Sequence, residues 1–210
     1  MKNYKKNFDL LKKNHVYSEE MEHDACGVGL IVSTEGKKSR KVVEYGIEAL
    51  KAVWHRGAVD ADGKTGDGAG IHVEIPKDFF IEKIEVNGHT YDSSEICVGM
   101  IFLPRNDYAA QESCKTIVES ELTKNDFSIY GWRQVPVDPK VLGEKAFQTM
   151  PEIIQVLFKS NNPELLNKEL ERKIYETRRK IENKAFKISL NNFYICSLSS
   201  KSIIYKGMFL

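Results

Sequence analysis

The stretch from His55 to Gly70, HRGAVDADGKTGDGAG, most limits how this chain can fold. It keeps neither the period of a helix nor the alternation of a strand. Before it, Val43, Ile47, Leu50 and Trp54 recur at i, i+4, i+7 and i+11, which predicts an amphipathic helix over 42–54 with one buried stripe. After it, Ile71-His72-Val73-Glu74-Ile75-Pro76 alternates as a strand does. A loop rich in Gly and Asp therefore hands the chain directly from a helix to a strand.

Further strands are predicted over 27–33, 95–104, 127–137, 193–198 and 202–210, the last two joined around Ser199-Ser200-Lys201. A turn is expected at Glu35-Gly36-Lys37. Ala110, Cys114, Ile117, Val118 and Leu122 mark one helix. Asn162-Pro163-Glu164 reads as the start of another, with Asn as N-cap and Pro at the first helical position. That helix runs through Leu166, Leu170, Ile174 and Ile181. Strands and helices intermix, with short strands in adjacent hairpins, so an α+β layered domain is expected rather than a doubly wound parallel sheet. The apolar end Met208-Phe209-Leu210 suggests a fold that is incomplete at its C-terminus.

Thirty-one Lys and Arg against thirty Asp and Glu leave a formal charge of +1, which gives no electrostatic case for nucleic acid or an anionic membrane as partner. No apolar run is long enough to span a bilayer. Residues 1–25 are Lys-rich and polar, without the apolar core of a secretory signal; a short helix and a disordered leader are both compatible with them. Cys26, Cys97, Cys114 and Cys196 are scattered without CxxC spacing, against a zinc or redox site and against a dense disulfide framework. A reducing, cytoplasmic setting is the default.

Cys26 stands out because Ala25 precedes it and Gly27-Val28-Gly29 follows. One reading is a structural cysteine at a strand start. The other follows if the chain is cut after Ala25: one residue then carries both a thiol and a free α-amino group. An amine with a pKa of about 7.7–8.0 can take the proton of a thiol with a pKa of about 8.5, directly or through one water. His55-Arg56-Gly57 is explained as a helix C-terminus ending on a left-handed Gly. Equally, Arg56 can be a guanidinium held near the nucleophile, facing Asp60, Asp62, Asp67 or an anionic substrate group. Thr65-Gly66-Asp67-Gly68-Ala69-Gly70 resembles a phosphate loop but has no Lys-Ser/Thr pair following its glycines and enters a strand, which argues against nucleotide binding. His23, Asp24, His55 and His72 lack ligand spacing, so no metal site is expected. Trp54 and Trp132 read as core or interface fillers, Arg178-Arg179-Lys180 as a solvated helix face, and Asn87-Gly88 as a hairpin turn.

Taken in order, several segments resemble the start of the glutamate synthase large subunit. They are His23-Asp24-Ala25-Cys26-Gly27-Val28-Gly29, Trp54-His55-Arg56-Gly57-Ala58 and Thr65-Gly66-Asp67-Gly68-Ala69-Gly70-Ile71. Gly131-Trp132-Arg133, the Arg178-Arg179 helix, Phe193 to Ser200 and Tyr205-Lys206-Gly207-Met208 continue the likeness over essentially the whole chain. The resemblance implies a class II glutamine amidotransferase domain over 26–210 with the N-terminal-nucleophile hydrolase fold, a four-layer α/β/β/α sandwich, after a propeptide of residues 1–25. It implies Cys26 as the nucleophile on glutamine, with Arg56 supporting the site and Asp67 and Gly70 in the surrounding shell. Glutamate and ammonia are the implied products, and the ammonia aminates 2-oxoglutarate at a second site. That site needs FMN, an iron–sulfur cluster and electrons from NADPH or ferredoxin. No cofactor is expected in this segment. The partners implied are the remaining synthase domains and a small NADPH-oxidising subunit.

The chain departs from the family's pattern in one respect. The Asn-Gly pair of the family's oxyanion hole, and the Arg and Asp that hold glutamine, lie beyond the residues present. Losing one oxyanion donor costs on the order of 10²–10³ in rate, so the chain by itself is expected to be inactive, and its strand-like end leads to an expectation of poor solubility. Two other readings stay open: a catalytically incomplete binding or assembly module, and another N-terminal-nucleophile amide hydrolase.

Overall fold

The computed structural model describes residues 6–7, 9–10, 13–14, 27–54 and 57–208. The first half of the chain holds α1 (Arg40–Ala52), β1 (Ala69–Glu74), α2 (Lys77–Val86), β2 (Cys97–Leu103), α3 (Tyr108–Lys124) and β3 (Phe127–Gln134). It continues through α4 (Glu144–Thr149), β4 (Glu152–Ser160), α5 (Asn167–Lys187), β5 (Tyr194–Ser199) and β6 (Ser202–Gly207). The result is a mixed α/β structure with two antiparallel sheets. One is four-stranded in the order β3-β4-β2-β5; the other pairs β1 with β6, Gly70 opposite Lys206 and Glu74 opposite Ser202.

Side-chain alternation explains what each face of the larger sheet covers. In β2, Cys97, Ile101 and Leu103 point to one side and join Cys114, Val118 and Leu122 of α3 and Leu170, Ile174 and Ile181 of α5. Val98 and Met100 point to the other side and meet Phe80 and Ile84 of α2 and Ile203 of β6. Val98, Ile101, Phe80, Ile174 and Ile203 are all fully buried, and each such side chain contributes roughly 1.5–3 kcal/mol of burial. α1 rests on β1, where a Cβ built on Gly46 would lie 3.7 Å from Ile71 Cδ1. Gln155, also fully buried, stands between the sheets; it accepts from Arg133 Nη1 at 2.8 Å and donates to Tyr205 Oη at 3.4 Å. That linkage joins β3, β4 and β6.

Several sequence expectations need correction. Gly27 to Ser33 is not a strand: it pairs with no strand among the described residues, and Val28 is 95% exposed and Leu30 83%. An alternating run becomes a strand only where its backbone finds a ladder. Val43, Ile47 and Leu50 of α1 are half-buried rather than buried, and Trp54 is exposed. Asn162 accepts from the Glu164 N–H at 2.9 Å and so caps a turn, while the helix begins at Asn167. Asn87-Gly88 ends α2 instead of making a hairpin: Gly88 takes φ +82°, and the His89 N–H returns to the Ile84 carbonyl at 3.2 Å. Arg178 is not a solvated residue, because its Nη2 donates to the Ile195 carbonyl at 2.7 Å and ties α5 to β5. The expected propeptide lies almost wholly outside the described residues; the few described there are helical and exposed.

Candidate active site

Between α1 and β1 the Gly/Asp-rich loop is an ordered hairpin. The Asp67 N–H donates to the Ala58 carbonyl at 3.2 Å, and the Ala58 N–H donates to Asp67 Oδ2 at 2.9 Å. Val59 and Gly66 bridge, and the Asp60 N–H donates to the Thr65 carbonyl at 2.8 Å. Asp67 therefore closes the hairpin's base with both its backbone and its side chain. At the tip, Asp62 Oδ1 accepts from the N–H groups of Lys64 (2.9 Å) and Thr65 (2.7 Å), and its Oδ2 accepts the Thr65 hydroxyl at 2.5 Å. The Thr65 hydroxyl, followed by these two N–H groups, holds the Asp62 carboxyl well below the usual carboxylate range. Lys145 Nζ, 2.5 Å from Asp60 Oδ2, lowers the Asp60 pKa in the same way.

Gly70, the second residue of β1, is set by close approach. A Cβ there would lie 2.8 Å from the Tyr205 carbonyl oxygen and 2.9 Å from Lys206 Cβ. Gly68, at φ +113°, occupies the left-handed region that favours glycine. Of the expected site residues, then, Asp67 and Gly70 sit where the hairpin enters the β1–β6 pair. Cys26 and Arg56 lie outside the described residues. Gly27, next to Cys26 in sequence, packs on Val53, three residues before Arg56; a Cβ on Gly27 would sit 3.7 Å from Val53 Cγ2.

The other three cysteines are free, buried thiols. Burial pushes Cys114 up to about 11 and raises Cys97 and Cys196 as well. Each is then a poor thiolate at neutral pH. Among the described residues, no group of three or more His, Cys, Asp or Glu lies where it could hold a metal ion. His72 instead hydrogen-bonds Ser202 Oγ at 2.7 Å. An open groove of about 510 Å³ runs past His72, Glu74, Lys77 and Ser202. It lies at the Glu74 end of β1, away from Gly70, and Lys38–Glu74 (2.5 Å) and Lys77–Glu95 (2.8 Å) ion pairs take up four of its charged side chains.

Two contributors to this architecture lie outside the residues singled out from the sequence. Glu171 of α5 accepts both the N–H and the hydroxyl of Ser200 at 2.7 Å and the Ser199 hydroxyl at 2.9 Å, fixing the point where the chain leaves one sheet for the other. Gly143, ahead of α4, presses on the hairpin tip. The Ser199-Ser200 pair between two strands hinted at the first; nothing local hinted at the second.

Comparison with known proteins decides the family. The model for class-II glutamine amidotransferases matches residues 26–210. This chain is a class-II glutamine amidotransferase by family. The matched region of this amidotransferase begins on Cys26. Over 207 residues the chain is 53% identical to the glutamate synthase [NADPH] large chain of Azospirillum brasilense, covering 99% of this chain and 14% of that protein. It is 39% identical over 206 residues to the ferredoxin-dependent glutamate synthase of Pyropia yezoensis, covering 95% of this chain and 13% of the relative. To the chloroplastic ferredoxin-dependent glutamate synthase 2 of Arabidopsis thaliana it is 37% identical over 205 residues, with 96% and 12% covered. The chain thus spans a small part of the length of these relatives. Among the described residues, no helix is long and apolar enough to cross a membrane.

Proposed function

We propose that this chain is the glutamine-hydrolysing part of a glutamate synthase, with Cys26 as its nucleophile. The observation that carries the reading is that the family match starts on Cys26, the residue that becomes N-terminal if 1–25 is removed. The three remaining thiols are buried, and none competes as a thiolate. After cleavage the Cys26 α-amino group accepts the thiol proton. The sulfur attacks the glutamine amide carbon, and the C–N bond breaks as the nitrogen takes up the proton and leaves as ammonia. Water then hydrolyses the γ-glutamyl thioester to glutamate and returns the thiol. Arg56 is the cationic support of the substrate, while Asp67 closes the hairpin's base on Ala58 and Gly70 lets β1 approach β6 closely.

The layer order fits the N-terminal-nucleophile fold: α3 and α5, the four-stranded sheet, the β1–β6 pair, then α1. Ammonia made here would aminate 2-oxoglutarate in the remaining synthase domains. FMN and an iron–sulfur cluster belong to those domains, with a small NADPH-oxidising subunit as one partner and a cytoplasmic location. No step of glutamine hydrolysis passes through them.

The test is made on the full-length protein that carries this sequence. Intact mass and N-terminal sequencing should find Cys26 as the first residue, and a diazoketone analogue of glutamine should add one label there. Glutamate release should disappear in Cys26→Ala. A mature protein that retains Met1 yet hydrolyses glutamine would overturn the reading.

A further inference from the structure

We infer that Asp62 and Thr65 are positioning residues for glutamine hydrolysis, acting through a clamp between the hairpin tip and the start of α4. α4 opens on Gly143, which has no side chain to cap its first N–H groups. Those groups are met by the hairpin, some eighty positions earlier in sequence. The Ala146 N–H donates to Thr65 Oγ1 at 3.3 Å, and the Lys145 N–H approaches Asp62 Oδ2 at 3.5 Å. The Thr65 hydroxyl is used twice: it accepts from Ala146 and donates to Asp62 at 2.5 Å. Lys145 adds its ammonium on Asp60 at 2.5 Å.

The fit leaves no slack. Thr65 is 4% exposed, and a Cβ on Gly143 would lie 2.5 Å from the Thr65 nitrogen and closer still to Thr65 Oγ1 and Asp62 Oδ2. An ordinary exposed loop of this composition would fluctuate freely. This one is pinned at its tip to α4 and at its base by Asp67. Its two arms, bridged at Val59 and Gly66, run from Gly57, the residue after Arg56, to Gly70. Fixing the tip therefore fixes the course of the backbone at Gly57, next to Arg56 in sequence, and at Gly70. Arg56, the cation proposed to hold the substrate, precedes Gly57 directly, so a hairpin free to swing loses uniform binding of glutamine, which reads as a raised KM.

The proposal rests on the glutaminase reading above. Its test uses the full-length protein with Asp62→Ala, Thr65→Val and Thr65→Ser. Asp62 is exposed, so its replacement by Ala opens no cavity in the core. The expected result is a KM for glutamine raised about tenfold or more in Asp62→Ala and Thr65→Val, with a much smaller change in kcat. Thr65→Ser, which keeps the hydroxyl, should restore KM. Amide hydrogen exchange over 58–67 should quicken in the first two variants and not in the third. A merely structural contact would lower the active fraction and leave KM alone. Unchanged KM and unchanged exchange in folded Asp62→Ala would overturn the clamp. If the parent protein neither hydrolyses glutamine nor labels at Cys26, the glutaminase reading fails, and the exchange measurement still scores the clamp.

Discussion

Glu171 Oε1 accepts two hydrogen bonds from one residue, the backbone N–H and the hydroxyl of Ser200, each at 2.7 Å. The relationship matters because β5 and β6 belong to different sheets and only Ser200-Lys201 separates them. The backbone of Ser200 leaves one ladder before it joins the next, and a carboxylate from α5 supplies the missing acceptor. Hydrogen bonds to a charged group contribute about 1.5–3 kcal/mol each, and a buried donor left unpaired costs about 1–3 kcal/mol. Glu171→Ala should therefore lower the unfolding free energy by about 2–4 kcal/mol in equilibrium urea unfolding. Glu171→Gln, which keeps one acceptor, should lose about half as much.

Two glycines should respond to alanine in opposite directions. At Gly70 the new methyl would meet the Tyr205 carbonyl at 2.8 Å, so β1 and β6 must part. Overpacking of this kind costs about 1–3 kcal/mol. Gly46 lies inside α1, and its methyl would reach only Ile71 Cδ1 at 3.7 Å, an ordinary contact. Gly46→Ala should raise stability by about 0.5–1 kcal/mol, because alanine surrenders less backbone entropy in a helix. Paired thermal melts of the two variants check both signs.

Much of the fold was legible wherever one face of an element meets the core and the other meets water. The spacing of Val43, Ile47 and Leu50 points to α1, and that of Cys114, Val118 and Leu122 points to α3; both helices are present. β1, β2, β3, β5 and β6 likewise lie within about two or three residues of their expected bounds. β4 escapes such reading because Ile154 to Phe158 is buried on both faces, which erases the period of two. α2 is short, with only Phe80 and Ile84 buried, too few positions to define a stripe. The opposite failure occurs at Val28, Leu30 and Val32, which alternate correctly but join no ladder among the described residues. Of the candidate site, the Gly/Asp-rich hairpin was visible as a break in period. Its clamp on Gly143 was not, since no local pattern records a contact between segments so far apart.

Acid should weaken the fold partly through Asp92. Lys159, followed by Ser94 and Tyr130, holds its carboxyl below the usual range; the Tyr130 hydroxyl donates to it at 3.0 Å. A carboxyl with a depressed folded pKa binds fewer protons folded than unfolded. Its stabilising contribution is thus complete above about pH 3.9 and disappears as pH falls through the lower folded value. Asp60 and Asp62 act with the same sign. Urea midpoints measured downward from about pH 5 should fall less steeply in Asp92→Asn than in the parent. Equal slopes would remove Asp92 from the acid response.

Thiol chemistry should separate Cys26 from the other three cysteines. Cys97 and Cys114 have no exposed surface and Cys196 has 5%. Burial also raises their pKa values, Cys114 to about 11, so at neutral pH they are both inaccessible and protonated. If Cys26 is the N-terminal nucleophile proposed above, a maleimide or disulfide reagent should label this segment once in the native full-length protein, at Cys26. The segment's four cysteines should all react in denaturant. Pre-treatment with the diazoketone glutamine analogue should abolish the native label and leave the three buried thiols to appear on unfolding. Peptide mapping by mass spectrometry distinguishes the outcomes. Rapid native labelling at Cys97, Cys114 or Cys196 would contradict the packed core described here, whereas a native Cys26 that stays unreactive would count against its role as nucleophile.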